Sequence, residues 1–191
     1  MAERGYVTVV SGLPRTGTSM MMRVLEAGGV PPLIDGERVA DEDNPRGYYE
    51  FEPVKKTKAD PSWVAEAPGK AVKLVHLLLM DLPGGYEYRV VFMRRKMEQI
   101  LASQKVMLER QGKKGAALSG DQLAKIYQGQ LDKVDAWLGG QGHFSVLKVD
   151  YNQMVGEPGV AIEQIDAFLG GGLDTGAMAG VVEPDLYRQR G

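Results

Sequence analysis

Cysteine is missing from this 191-residue sequence, and histidine occurs only twice. The first absence removes disulfides, thiolate metal sites and cysteine nucleophiles from consideration. The second leaves too little imidazole for a histidine-built metal centre, and no metal site is expected. Long apolar runs are lacking too. The longest, around residues 77–80, fall far short of the roughly 20 residues a membrane-spanning helix needs. Nor is there an excess of one charge. The net value is −2, which draws the chain to neither nucleic acid nor an anionic membrane. Any anion site must therefore be a local arrangement. The opening MAERGYVTVVSG enters a β-type run almost at once and has no signal-peptide pattern, so a cytoplasmic protein is expected.

What is present suits one globular domain over residues 1–191. Hydrophobic content of 43% and charged content of 25% are ordinary, and the length permits a core without staples. The β-branched run at residues 6–10 predicts a buried strand. A glycine-containing turn follows, and then SMMMRVLEA, a helix stopped by Gly28 and Gly29. Residues 31–62 read as a long loop or broken insertion with an aromatic knot. Further strands are expected at 71–79, 88–93 and 144–149. Helices are expected at 98–110, at 121–138 with Asp121 as N-cap, and at 159–169. Strands alternating with helices predict an α/β, three-layer fold with a central parallel sheet flanked by helices. Ligands of such sheets bind at the carboxyl ends of the strands, which directs attention to the loop after Val10.

That loop reads Gly12-Leu13-Pro14-Arg15-Thr16-Gly17-Thr18-Ser19, between a strand and a helix. The spacing is that of a P-loop, except that Thr18 fills the lysine position. Glycines let the backbone approach an anion, and the helix N-terminus adds partial positive charge. Ser19 and Thr18 supply hydroxyls, and Arg15 supplies a cation. The plain alternative is a tight turn with no ligand. The strand–loop–helix context favours the anion site. Without the lysine, the loop is poorly matched to a nucleoside triphosphate. The apolar run ending at Asp81 is a weak imitation of a metal-binding strand end.

Pro14-Arg15-Thr16-Gly17-Thr18-Ser19 resembles the phosphosulfate loop of the P-loop sulfotransferases. Arg95 at a strand end, with Ser103 eight residues on, is similar to the pair that holds the cofactor's 3′-phosphate in that family. Arg94, one residue off, is an alternative for the arginine. The block from Lys148 through Tyr151 to Pro158 looks like a third family segment, whose tyrosine lies near the adenine. A weaker likeness runs from Asn44 to Glu52. The resemblance spans about residues 6–170. It implies transfer of a sulfuryl group from 3′-phosphoadenosine 5′-phosphosulfate (PAPS) to a hydroxyl or amine. Small-molecule or carbohydrate acceptors are implied, with no nucleic-acid or membrane partner. The sequence departs from the family pattern in two places. Lys73 and His76 stand one residue wider than the family's Lys-x-His, and the Arg-Lys-Gly loop over the 3′-phosphate is not visible, leaving only Arg188 or Arg190 as substitutes.

The resemblance assigns Arg15 and the amides of residues 16–19 to the bridging oxygen and 5′-phosphate. Pro14, Thr16, Gly17, Thr18, Ser19, Arg94, Arg95, Ser103 and Tyr151 complete the cofactor site. Three candidates stand for the general base. His76 titrates near neutrality, and Glu50 and Glu52 are loop carboxylates. Each also has a structural reading, as a satisfied strand-edge histidine or as solvated loop charges. Tyr48, Tyr49, Phe51 and Trp63 either wall an acceptor pocket or pin their loop. Two other functions are compatible with the loop: a P-loop nucleotide kinase or nucleotidase, and a nucleotide-binding module of the same fold without turnover.

Overall fold

The computed structural model describes residues 5–37, 47–110, 112 and 118–182. Four strands, β1 (Val7–Gly12), β2 (Ala71–Val75), β3 (Tyr88–Arg94) and β4 (Phe144–Asp150), form one sheet in the order β2-β1-β3-β4, and every pairing is parallel. The expected parallel α/β architecture is therefore what the chain adopts. β1 is buried along its whole length, which is why it is nearly all β-branched. Val7 and Val9 enter one core with Trp63, Leu79, Ile100 and Val134, while Val10 enters the other with Met21, Met22, Ile162 and Ile165.

Among the described residues, six α-helices complete the layers: α1 (Thr18–Ala27), α2 (Met97–Arg110), α3 (Gly120–Gly139), α4 (Tyr151–Gly156), α5 (Pro158–Phe168) and α6 (Thr175–Gly180). Helices α1, α5 and α6 contribute to one core, α2 and α3 to the other. No helix among the described residues is long and apolar enough to cross a membrane. The chain leaves β1 toward β2 on one side, and β3 continues to β4 on the other. The order of the strands thus reverses between β1 and β3, and the crevice of an open parallel sheet lies at such a point. The register brings Gly12 level with both Val75 and Met93, and Arg94 level with Asp150. The loops after all four strands therefore open on one edge.

The structure corrects the sequence reading locally. The strand expected at residues 71–79 ends at Val75, and His76–Asp81 is a 3-10 helix. An apolar run alone does not separate strand from buried helix. Helix α3 starts earlier than expected. Its N-cap is Ser119, not Asp121; the Ser119 hydroxyl accepts from the Gln122 amide at 3.2 Å, and the Gln122 side chain accepts from the Ser119 amide at 2.8 Å. The described parts of the segment expected to be a long loop, 31–37 and 47–62, are largely loop, with a short 3-10 helix at Glu52–Lys56. Helices α4 and α6 have no counterpart in the sequence reading. Both are six residues long, too short to show periodicity.

Candidate functional site

The loop after β1 has the backbone of an anion cradle. Gly12 (φ 151°) and Gly17 (φ 93°) take conformations open to glycine, and Arg15 takes the left-handed region with φ 70°. A Cβ on Gly12 would lie 2.7 Å from the Met93 carbonyl oxygen, and one on Gly17 would lie 2.4 Å from the Tyr151 ring. Both glycines are required by close approach as well as by torsion. The Thr16 hydroxyl donates to the Leu13 carbonyl at 2.7 Å and closes the turn from inside, where it is buried. Gly17 caps α1 with no side-chain hydrogen bond, so side chains do not consume the helix's first amides. Pro14 is exposed at the loop's tip, and Thr18 opens α1.

Arginines converge on this loop. The Arg15 Nε donates to the Ser103 hydroxyl at 2.9 Å, and its Nη1 reaches the Met107 sulfur at 3.9 Å. Arg95 Nη1 donates to the Arg15 carbonyl at 3.0 Å, its Nε donates to Gln99 Oε1 at 3.2 Å, and its guanidinium stacks 4.3 Å over the Tyr151 ring. The sequence-predicted Arg15, Arg95, Ser103 and Tyr151 thus form one cluster. Ser103 reaches it because the helix carries it about two turns from the strand exit. Arg94 turns away. Its Nη2 meets Asp135 Oδ2 of α3 at 2.5 Å, and Lys148 shares that carboxylate at 3.0 Å. Of the two alternatives, the arginine that faces the loop is Arg95. A cavity of about 140 Å³ borders the cluster on its α3 side, lined by Leu13, Thr16, Met97, Ile100 and Leu131 among others.

A second cation approaches from β2. Lys73 Nζ lies 3.3 Å from the Ser19 hydroxyl, donates to the Tyr48 carbonyl and stands 3.9 Å from the Glu50 carboxylate. Sequence reasoning noted Lys73 only for its irregular spacing to His76. Its residue type carries no signal of this approach; the register that sets it beside Val10 does. Glu50 also faces Lys55 at 3.6 Å, and Glu52 pairs with Lys55 farther out.

His76 directly follows β2 and is buried, with 2% of its surface exposed. Its Nε2 lies 3.0 Å from Gln130 Oε1 of α3. Burial pushes its pKa below the ordinary 6.5, against the opposing pull of Gln130 and the Gly12 backbone, and Arg94 adds to the lowering. The imidazole is neutral at pH 7. Gln130 and Asp135 are the contributions that sequence reading missed. Both lie in an unremarkable amphipathic helix; packing of α3 against the 3-10 turn after β2 brings Gln130 to His76, and its approach to β3 and β4 brings Asp135 to Arg94 and Lys148.

The aromatic knot divides. Trp63 is buried, donates from Nε1 to the Thr57 hydroxyl at 3.0 Å and meets Phe51 edge-on at 6.0 Å, so this pair pins its loop. Tyr48 and Tyr49 lie over α1, where Tyr49 donates to Glu26 at 2.5 Å. The likeness beginning at Asn44 is described only from Gly47, and Arg188 and Arg190 lie outside the described residues.

No family model matches the sequence, and no curated protein matches it either. Solved structures do. A sulfotransferase from Mycobacterium tuberculosis H37Rv is similar with TM-score 0.59 at 16% identity, over 91% of this chain and 70% of that one. The sulfotransferase domain of the Synechococcus PCC 7002 olefin synthase gives 0.55 at 15% identity, over 100% and 82%. The sulfotransferase domain from the curacin biosynthetic pathway gives 0.52 at 14% identity, over 100% and 79%.

The fold is that of the sulfotransferases. On a sulfotransferase fold, the loop at residues 12–19, the Arg95–Ser103 exit of β3 and Tyr151 at the exit of β4 occupy successive strand ends along one edge of the sheet.

Proposed function

We propose that this chain is a sulfotransferase that takes its sulfuryl group from PAPS. The observation that carries the reading is the convergence of Arg15, Arg95 and Ser103 on a glycine-built anion loop at the strand-order reversal of a sulfotransferase fold. The cradle fits the donor's chemistry. Two glycines leave room that any Cβ would fill, and two planar guanidinium groups suit phosphate oxygens. Arg15 and the amides of residues 16–19 bind the 5′-phosphate and bridging oxygen. Ser19 assists, and Lys73 brings the charge that Thr18 lacks. Arg95 and Ser103 bind the 3′-phosphate, and Tyr151 supports Arg95 from below and lies toward the adenine.

The donor supplies an activated S–O bond. That bond to the 5′-phosphate breaks as a new one forms to the acceptor's oxygen or nitrogen, and adenosine 3′,5′-bisphosphate leaves. The protein's part is positioning and charge stabilisation. We assign the acceptor's proton to His76, which burial keeps neutral and whose ring lies against the Gly12 backbone of the loop. Glu50 is already engaged by two lysines, and Glu52 is farther out. We place the reaction in the cytoplasm, in a single domain over residues 1–191, with a small-molecule or carbohydrate acceptor.

The test is sulfuryl transfer from PAPS across a panel of hydroxyl and amine acceptors. Arg15→Ala is expected to lower turnover at least ~100-fold, as loss of a charge-stabilising group does, while Arg94→Ala, whose partner is Asp135, lowers it far less. Near-normal turnover of Arg15→Ala overturns the assignment.

A further inference from the structure

The groups assigned above to the donor's anion already hold an oxygen. The Ser19 hydroxyl donates to the Tyr48 carbonyl at 3.2 Å, and the Lys73 ammonium donates to the same carbonyl. Two donors from different elements, α1 and β2, therefore meet on one backbone oxygen at the mouth of the phosphate loop. The segment that brings this oxygen, residues 47–52, is tied down again farther along α1. There the Tyr49 hydroxyl donates to Glu26 at 2.5 Å, about two turns beyond Ser19. Its backbone is strained between these ties, and Asp35 anchors the far end of the segment through the Glu50 carbonyl and the Glu52 amide. Tyr49 sits in the left-handed region with φ 53°, which a residue with a Cβ adopts only under constraint. The Tyr49 phenol is pushed up to about 12 by burial and by Glu26, so it stays protonated and keeps donating.

We propose that residues 47–52 are a strap in which the Tyr48 carbonyl stands in for an anionic oxygen, and that an anion entering the loop expels it. The inference rests on the reading of residues 12–19 as an anion site but requires no particular donor. A carbonyl offers Lys73 and Ser19 a partial charge, and a phosphate oxygen offers a full one, so the exchange favours the phosphate. Departure of the strap also relieves the Tyr49 backbone and moves Glu50 away from Lys73. Strap and anion compete for the same donors. Whatever loosens the strap must then strengthen anion binding, because the two equilibria are linked.

Hydrogen exchange followed by mass spectrometry tests this on the full chain, with saturation checked by calorimetry. The probes are adenosine 3′,5′-bisphosphate and inorganic pyrophosphate. Amides of residues 47–52 are expected to exchange several-fold faster when either probe is bound. Tyr49→Phe, which removes the tie to Glu26 and touches no anion donor, is expected to bind the probe about fivefold more tightly, the scale of one lost hydrogen bond. A merely structural role for Tyr49 would leave affinity unchanged or weaken it. Unchanged or slower exchange with a bound probe, or unchanged or weaker binding by Tyr49→Phe, overturns the strap. If pyrophosphate binds and releases the segment but the bisphosphate does not bind, the strap stands and the PAPS reading fails. If neither probe binds, both fail.

Discussion

Arg95 and Arg94 show how much one position matters. Adjacent in sequence, they point to opposite sides of the β3 exit: one to the loop carbonyl of Arg15, the other to Asp135. The sequence offered both, because eight-residue spacing to Ser103 is tolerant by one on a helix. The partner that settles the matter, Asp135, comes from an element 41 residues away from Arg94. Arg15 was a candidate from the glycine loop itself, whereas Ser103 and Tyr151 were candidates only through the family resemblance; the structure brings all three together with Arg95. His76 was legible as a candidate, but its burial and its contact with Gln130 were not. That burial has a consequence for stability. In the unfolded chain His76 takes up a proton near the ordinary 6.5, whereas the folded state resists doing so. As pH falls below that value, the unfolded state binds more protons and gains on the folded one. The melting temperature of the protein is therefore expected to fall faster on acidification from pH 7 to pH 5 than that of His76→Gln. Parallel profiles for the two proteins would remove the buried neutral imidazole from the account.

At the scale of elements, parallel strands and the main helices were readable from pattern alone. β1 and β3 carry unbroken buried runs, and α2 and α3 have apolar residues at helical spacing, seen in Ile100 and in Leu131, Val134 and Leu138. Boundaries were less readable where two signals compete. Residues 71–81 contain one long apolar stretch, yet the chain changes from strand to 3-10 helix at His76, because the sheet's edge ends there and Leu79 turns into the core. At α3, Asp121 and Ser119 are both credible caps, and the glutamine three residues after Ser119 decides for the serine through the reciprocal pair of hydrogen bonds. Ser119→Ala is expected to cost about 1 kcal/mol in equilibrium denaturation, whereas Asp121→Ala costs less. The opposite order would return the cap to Asp121.

Across the molecule, the proposed site lies where the strand order reverses. Outward growth of the sheet from β1 in one direction and from β3 in the other leaves a crevice between their carboxyl ends. The glycine loop fills one lip of that crevice, and the arginine exit of β3 fills the other. With a net charge of −2 over the chain, anion binding here rests on local cations such as Arg15, Arg95 and Lys73 rather than on a basic chain as a whole. Lys73 joins them by register, not by motif, and on the proposed reading it supplies the charge that the loop lacks at Thr18. This arrangement separates the sulfotransferase reading from a nucleotide kinase. A kinase would need a metal to neutralise a triphosphate, whereas arginine, lysine and backbone amides suffice for a bisphosphate. Calorimetric titration with adenosine 3′,5′-bisphosphate, beside ATP and GTP with and without magnesium, tests this most directly. The account predicts tight binding of the bisphosphate that does not depend on magnesium, and weak binding of both triphosphates. Magnesium-dependent binding of a triphosphate, with no heat from the bisphosphate, would contradict it.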